Sequence, residues 1–344
     1  MTRTLVANLD YEFGLQTKSY TPSKALRRRL SKTATVLRVF SPDIVITPFP
    51  VDLDWIPEND QFPTPEFRHA MSFPDESSVA YWAQSENPPS ERPNTEQLVS
   101  YCDAVWHCPR SSPKITQHAN DKFFCHTVQR QLGLMLADSK VLCHADELEQ
   151  LQDYPSWVLK SRFGVAGRNR ILGRNYPNDS QLSAIKRMFQ HSGSLILEPW
   201  VNRIKDYGVT GFISSETSQH IRVHSLKVDN QGTFCGIDTN STAIDASIAS
   251  ELIDVFKKVA ALLINEKYAG PMGIDAFTYL SANGQTKLHA LTEINARLTF
   301  GHVAQGYDEF LGRPIELNFG RSIPKNVTII ATPDSTDATS CWIS

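Results

Sequence analysis

The sequence predicts an α/β protein with more than one lobe. Its 344 residues predict two domains, or three, at roughly 100–200 residues per domain. A hydrophobic fraction of 41% and a charged fraction of 21% are ordinary for a folded globular protein. Strand-like and helix-like segments alternate through the first third of the chain, as they do in α/β proteins.

Charge and hydropathy exclude several functions. The chain carries 37 acidic and 34 basic residues, which argues against a nucleic-acid-binding protein and against a polybasic membrane anchor. The longest apolar runs, such as 259–264, fall well short of the ~18 residues of a membrane-spanning helix. Asp10 and Glu12 interrupt the first apolar run, so it does not resemble a signal peptide. We therefore expect a cytoplasmic protein with no nucleic-acid and no membrane partner.

Buried strands, helices and one insert are predicted in the first third of the chain. β-branched apolar runs favour buried strands, and a Ser or Thr before an amphipathic run favours a helix start. Proline-rich stretches favour loops. In order, the predictions are a strand at 3–9, a helix at 21–34 capped by Thr21 or Ser23, a parallel strand at 43–49, a long insert at 48–93 with one helix near 77–85, and a helix followed by a short strand at 96–109.

The remaining two thirds are predicted from the same signals. Glycine ends a helix readily, three- and four-residue apolar spacing indicates a helix, and Asn-Gly indicates a hairpin turn. In order, the predictions are a helix at 121–134 ended by Gly133, a strand, glycine loop and strand at 157–173, a helix at 179–193, a strand at 194–201, antiparallel strands over 206–239, a helix at 249–267, two strands at 270–280 and 286–298 joined by Asn283-Gly284, and a loose tail over the last dozen residues.

A lysine and two glycines follow one predicted strand. Lys160 ends the strand, and Gly164 and Gly167 lie in the next segment. Glycines let backbone N–H groups approach an anion closely, and the lysine supplies charge, so the pattern is compatible with a phosphate site. It is not the P-loop pattern, and a glycine turn after a strand is common.

Acidic and amide side chains alternate on a later strand. Glu293, Asn295 and Arg297 are spaced by two, so they project to one face of a strand. If the neighbouring strand pairs through the Asn-Gly turn, Asp275 joins them there. Carboxylate and amide oxygens suit magnesium bound with substrate phosphates, but a solvent-facing polar sheet explains the spacing equally well. A third feature is Lys122 at a helix start, where a cation is disfavoured unless an anion is bound nearby.

In this order, the features resemble the ATP-grasp superfamily over roughly residues 115–310. The matching segments are NDK at 120–122, VLKSRFGVAGR at 158–168, LILEPWV at 195–201, GIDAF at 273–277 and EINAR at 293–297. The resemblance implies an ATP-grasp fold with α+β lobes, preceded by a Rossmann-like α/β N-terminal domain. The implied boundaries are 1–115 for the N-terminal domain, 116–200 for the central lobe, 201–325 for the C-terminal lobe and 326–344 for a C-terminal tail.

The resemblance also implies nucleotide contacts. By this resemblance, Lys122 and Lys160 would bind the ATP phosphates, and a lid loop over the phosphates would consist of Gly164, Val165, Ala166 and Gly167. Glu198 and Val201 would contact the adenine, and Asp206 would bind the ribose. Glu198 is an alternative ribose ligand. The implied cofactors are therefore ATP and divalent magnesium, with manganese as an alternative ion.

Metal and catalytic residues follow from the same resemblance. Asp275, Glu293 and Asn295 would hold one or two magnesium ions that bridge the phosphates. Arg297 and Arg168 would contact the γ-phosphate or an acyl phosphate, with Lys160 beside them. Similar enzymes phosphorylate a carboxylate with ATP and let a nucleophile displace phosphate.

The nucleophile distinguishes the subclasses. Biotin-dependent carboxylases follow this arginine with a glutamine, a valine and a glutamate base, whereas here Thr299, Phe300 and Gly301 occupy those places. We therefore expect a ligase that joins a small-molecule carboxylate to an amine such as an amino acid, in a biosynthetic reaction. The alternatives are a carboxylase, an ATP-grasp kinase and a non-catalytic nucleotide-binding module. Many proteins of this kind are homodimers, and no spacing selects a substrate contact among Arg222, His224, Arg297 and His302.

Overall fold

The computed structural model describes residues 2–16, 20–58, 61–69, 78–84, 100–164, 170–229, 232–333 and 339–344. These residues form three β-sheets with helices packed against them. The mixture of one parallel and two antiparallel sheets confirms the predicted α/β class with α+β lobes. Among the described residues, no helix is both long and apolar enough to span a bilayer.

The first sheet is parallel and has the strand order β3-β2-β1-β4. Its strands are β1 (Arg3–Val6), β2 (Ile44–Ile46), β3 (Glu66–Arg68) and β4 (Ser78–Tyr81). Its helices are α1 (Tyr11–Gln16), α2 (Lys24–Ala34) and α3 (Tyr101–His107). The Ser23 side chain caps α2 by accepting a hydrogen bond from the Leu26 amide at 3.2 Å, one of the two predicted caps.

Two predictions for this region are wrong. The segment expected to be helical near 77–85 contains β4, which pairs with β1. Short apolar runs suit either element, and here pairing with a buried parallel strand decides in favour of the strand. The short strand expected after the helix within 96–109 is also not formed among the described residues. Helix α3 ends at Cys108, and the chain then leads into another helix.

The second sheet is antiparallel and has the order β5-β8-β6-β7. Its strands are β5 (Lys140–Leu142), β6 (Trp157–Lys160), β7 (Arg170–Gly173) and β8 (Leu195–Pro199). The helices of this region are α4 (Pro113–Ala119), α5 (Lys122–Leu132) and α6 (Asp179–Ser192). Gly133 ends α5 at a φ of 69°, in the left-handed region that glycine adopts without strain, which confirms the predicted stop.

The third sheet has eight strands in the order β13-β12-β9-β10-β11-β14-β16-β15. The strands are β9 (Asn202–Ile213), β10 (Ser218–Val228), β11 (Phe234–Asp238), β12 (Gly270–Leu280), β13 (Thr286–Asn295), β14 (Glu316–Gly320), β15 (Thr328–Ala331) and β16 (Ser340–Ile343). The helices are α7 (Ala246–Asn265) and α8 (Phe300–Leu311). Short 3-10 helices occur at Thr35–Phe40, Leu53–Trp55, Ala145–Asp153 and Ser241–Ala243.

The prediction of a loose C-terminal tail is wrong for the described residues. Strand β16 lies between β14 and β15, and all four of its residues are buried. The C-terminal strands, the first sheet and α8 share one hydrophobic core. Phe40, Tyr307 and Ile330 are among the residues of this core. The guanidinium of the buried Arg38 donates a hydrogen bond to the Ile330 carbonyl at 3.1 Å. This core fixes the first sheet against the third.

Candidate functional site

The acidic residues lie together on two paired strands. Strands β12 and β13 are antiparallel, with Asp275 directly opposite Glu293 and Gly273 opposite Asn295. The turn between them contains Gly284 at a φ of 78°, so the predicted hairpin is confirmed. The Asn295 amide donates a hydrogen bond to an Asp275 carboxylate oxygen at 3.3 Å. The two carboxylates and the amide therefore share one face of the sheet.

This acidic pair has the chemistry of a divalent-cation site. Desolvation and the neighbouring Glu293 carboxylate raise the pKa of Asp275 to about 7, because two negative charges are close together away from water. A bound cation would relieve that repulsion. Among the described residues, no group of three or more His, Cys, Asp and Glu side chains is arranged for a metal ion. The carboxylate and amide oxygens of Asp275, Glu293 and Asn295 are of the kind that an oxygen-preferring ion such as magnesium takes, together with water and ligand phosphates.

The Lys122 side chain contacts both the acidic strands and the segment that follows β6. Asp121 caps α5 by accepting a hydrogen bond from the Phe123 amide at 3.0 Å. This places Lys122 in the first turn of the helix, where its ammonium forms an ion pair with Glu293 and donates to the Gly164 carbonyl at 3.2 Å. The lysine therefore contacts both the acidic strands and the segment that follows β6.

Lys160 is held by a second buried carboxylate. Its ammonium lies 2.6 Å from a carboxylate oxygen of Glu198 on β8, the strand beside β6. Desolvation acts to raise the pKa of Glu198, but the Lys160 charge outweighs it and the pKa lies below its ordinary value. Desolvation lowers the pKa of the nearby His289 to about 4, so that imidazole is neutral at neutral pH. Glu198 is therefore a buried anion that orients the lysine.

The segment between β8 and β9 leads to Asp206. Val201 is half-buried and follows β8, while Asp206 lies on β9 with its carboxylate 2.8 Å from the Arg203 guanidinium. Arg203 and Arg170 both lie over the ring of Trp200, at 5.2 Å and 5.5 Å from its centroid. No sequence motif marks these two arginines, so they were not predicted.

Arg297 follows β13 and is almost completely buried. Its guanidinium forms an ion pair with Glu12 on α1 and donates to the Asn295 side chain at 2.8 Å and to the Leu298 carbonyl at 3.1 Å. Glu12 was not predicted, because it lies 285 residues away in sequence and no spacing links the two. The arginine is thus oriented by the first sheet's helix and by the amide of the acidic strand.

A single cleft brings these residues together. It has a volume of about 230 Å³. The predicted residues that line it are Lys122, Lys160, Gly164, Asp206, Asp275, Glu293, Asn295 and Arg297. Glu198 and Val201 lie outside the lining, and Val165, Ala166, Gly167 and Arg168 lie outside the described residues.

The substrate candidates are separated by the structure. His224 lines the cleft, whereas Arg222 is exposed outside it. His302 is fully buried, with Nδ1 near the Thr299 hydroxyl at 3.0 Å and Nε2 near the Gly211 carbonyl at 3.2 Å. These contacts give His302 a structural position at the start of α8.

Two glycines make room for His224. In the sheet, His224 on β10 lies opposite Gly208 on β9, which in turn lies opposite Asp275. A Cβ atom at Gly208 would fall 2.3 Å from the His224 Nε2, and one at Gly301 would fall 2.8 Å from it. The imidazole therefore leans over Gly208, in the same row of the sheet as the acidic pair.

Comparisons with known proteins establish the fold. No protein-family model matches the chain, and no curated protein matches it in sequence. Its structure is similar to N5-carboxyaminoimidazole synthetase from Staphylococcus aureus complexed with ADP, with a TM-score of 0.55 and 12% identity over 99% of this chain and 92% of that one. It is equally similar to phosphoribosylamine–glycine ligase from Thermotoga maritima, with a TM-score of 0.55 and 11% identity over 100% and 90%.

A third similar structure carries the fold's name. It is a putative ATP-grasp superfamily protein from Archaeoglobus fulgidus, with a TM-score of 0.53 and 13% identity over 100% of this chain and 99% of that one. These matches extend over 99–100% of the chain. The chain therefore has the ATP-grasp fold, as the ordered motifs predicted.

Proposed function

We propose that the protein is an ATP-dependent ligase. It activates a carboxylate as an acyl phosphate, joins it to an amine and releases ADP and phosphate. The observation that carries the proposal is the cleft, where two lysines from separate elements face a pair of carboxylates and an amide oxygen. The ATP-grasp fold supports it, and two of the similar structures are of enzymes named as a synthetase and a ligase.

The nucleotide is assigned to the side of the cleft nearest the second sheet. Lys122 and Lys160 bind its phosphates, since both ammonium groups line the cleft. The segment around Glu198 and Val201 meets the adenine through its backbone, and Asp206 binds the ribose. The role of a lid that keeps water from an acyl phosphate is assigned to residues 164–167, of which only Gly164 lies within the described residues.

Asp275, Glu293 and Asn295 are assigned to magnesium. When bound, the ion supplies positive charge that screens the repulsion between the triphosphate and the carboxylate substrate. Arg297 lies next to Asn295 and stabilises the charge of the transferring phosphoryl group, with Arg168 as a second candidate. No covalent nucleophile on the protein is required for this chemistry.

We propose domain boundaries that follow the three sheets. We assign residues 1–115 to a lead α/β domain, 116–200 to the central lobe and 201–325 to the C-terminal lobe. The described residues 326–333 and 339–344 join the C-terminal lobe, because β15 and β16 belong to its eight-stranded sheet. The cleft is lined from all three regions, so the reaction uses residues of each.

The test is an ADP-release screen of the purified protein with magnesium, ATP and paired carboxylates and amines, followed by mass spectrometry of the products. A ligase requires both substrates, whereas a kinase releases ADP with the acceptor alone. Glu293→Gln is expected to abolish ADP release, while Glu251→Gln, an exposed change on α7, leaves it intact. Undiminished release by Glu293→Gln rejects the metal site. Release without any amine rejects the ligase.

A further inference from the structure

The cleft extends beyond the acidic strands to a second, apolar end. In the eight-stranded sheet, β9 and β10 separate β12 from β11. At about 4.8 Å between neighbouring strands, β11 lies about 14 Å from β12. Residues from both β10 and β11 nevertheless line the same cleft as Asp275. A substrate that reacts near the acidic pair can therefore extend along the sheet towards β11.

Apart from His224, the strand side chains of this end are apolar. His224, Leu226 and Val228 alternate along β10, so they project to the cleft face of the sheet. Phe234 and Ile237 of β11 continue the lining. This surface is separate from the lysines and carboxylates assigned to nucleotide and metal.

Aromatic rings form one wall of the apolar end. Phe234 stacks on Phe300, the first residue of α8, with ring centroids 5.7 Å apart and planes at 13°. Trp82 lies 5.1 Å from Phe300, and Phe319 on β14 lies 5.0 Å from it. We call Trp82, Phe234 and Phe300, which line the cleft, the aromatic wall. Phe234 and Phe300 are only half-buried, so aromatic surface remains available to a ligand.

The two strands of this end contribute no positive charge to the cleft. Among the described cleft-lining residues of β10 and β11, none is a lysine or arginine. Lys227 projects to the other side of β10 and pairs with Glu316 at 2.8 Å. Desolvation lowers the pKa of His224 to about 4, so its imidazole is neutral at neutral pH.

The cations nearest this end are Arg170, which lies beside Gly232, and Arg297, whose guanidinium lies 6.0 Å from the Trp82 ring centroid. A charged group placed between His224 and Phe234 would lose its hydration and gain no cation from β10 or β11.

We propose that the apolar end binds the aromatic side chain of one substrate of the ligase, with that side chain packed on Phe234 and Phe300. This inference rests on the proposed function, and it narrows the substrate class to carboxylates or amines that bear a planar apolar group. Aromatic side chains gain both buried area and ring contacts in such a pocket. The uncharged lining that β10 and β11 contribute favours an uncharged side chain over a phosphorylated or acidic one.

The test measures binding and turnover separately, with the full chain and Mg-ADP present in the binding arm. The probes are L-phenylalanine, 3-phenylpropionate and 2-phenylethylamine, compared with L-aspartate and O-phospho-L-serine. At least one aromatic probe is expected to bind with a Kd about tenfold or more below those of the acidic probes. Phe234→Ala is expected to raise that Kd about tenfold or more and to leave the Kd for ADP unchanged.

Phe310→Ala is the matched control. Phe310 is on the same helix as Phe300, is 45% exposed, and lies about 15 Å further along the helix axis. The control should change neither affinity. Its partner ring is Phe62, at 5.0 Å, which does not line the cleft.

The outcomes separate this inference from the proposed function. Tighter binding of aspartate or phosphoserine, no measurable binding of any aromatic probe, or an unchanged Kd in Phe234→Ala overturns the aromatic site. Aromatic binding without ADP release for any substrate pair supports the site but rejects the ligase. ADP release with acidic substrates alone supports the ligase and rejects the aromatic site.

Discussion

Replacing Glu12 by glutamine tests how strongly the buried ion pair with Arg297 stabilises the protein. The two side chains are 4% and 6% exposed, so the change leaves a buried guanidinium without its carboxylate. Breaking one partner of a buried pair costs about 3–5 kcal/mol. Glutamine keeps the shape, and Arg297 keeps its hydrogen bonds to Asn295 and Leu298, so we expect the lower end, about 3 kcal/mol.

This loss is measurable by thermal unfolding. At roughly 2–4 °C per kcal/mol, a loss of about 3 kcal/mol lowers Tm by about 6–12 °C. Glu66→Gln is the control, because Glu66 also accepts two hydrogen bonds of 2.7 Å from an arginine, Arg68, but both side chains are exposed to solvent. Water competes for such a pair, so Tm should not change. Equal Tm values for the Glu12 and Glu66 variants would refute the reasoning.

A double variant separates the pair from its surroundings. Glu12→Gln with Arg297→Met removes both charges and leaves no unpaired guanidinium. It should therefore unfold at a higher temperature than Glu12→Gln alone. Additive losses in the double variant would show that the two side chains are not coupled.

Three further changes have defined outcomes. Gly208→Ala places a Cβ 2.3 Å from the His224 Nε2, so we expect a loss of about 1–3 kcal/mol in urea unfolding and reduced ADP release. Lys160→Ala removes a proposed phosphate contact and should lower kcat/KM for ATP about tenfold or more in steady-state kinetics. Deleting 339–344 removes β16 from between its two neighbours, which should lower the unfolding midpoint sharply or abolish the soluble folded protein.

Two controls accompany these variants. Gly14→Ala introduces a Cβ with no atom within 4 Å, so it should not lower the unfolding midpoint. Lys186→Ala removes an exposed lysine from α6 and should leave ATP kinetics unchanged. Wild-type behaviour of Gly208→Ala or Lys160→Ala would contradict the corresponding contact, and wild-type stability of the truncated chain would contradict the burial of β16.

Local patterns predicted the acidic hairpin well. Alternation by two and the Asn-Gly turn are both short-range signals, and together they determine that Asp275 faces Glu293. The end of α5 at Gly133 was predictable for the same reason, since the left-handed residue lies next to the helix it ends. The ordered motifs then predicted the fold, because they place lysines and acids at positions that several elements share.

Long-range pairing was not predictable. The run SVAY at 78–81 suits a helix or a strand, and only its pairing with β1 selects the strand. The run SCWI at 340–343 follows a polar segment, and only its place between two strands of the third sheet buries it. Glu12 is an ordinary acidic residue in sequence, and its role depends on a contact made across 285 residues. These features arise from tertiary packing, which no local period records.

Most positive side chains of the cleft are paired with negative ones, and the two charges are also nearly balanced in the whole chain. Four cations of the cleft each contact a carboxylate, in the pairs Lys122–Glu293, Lys160–Glu198, Arg203–Asp206 and Arg297–Glu12. A polyanionic nucleotide therefore meets cations that are already partly neutralised, and it gains the full attraction of Lys122 only when Glu293 binds another cation. Glu293 is the carboxylate shared between a lysine and the proposed magnesium site. A divalent ion on Glu293 would free the charge of Lys122 for phosphate, so the affinities for nucleotide and metal should be coupled through this one side chain.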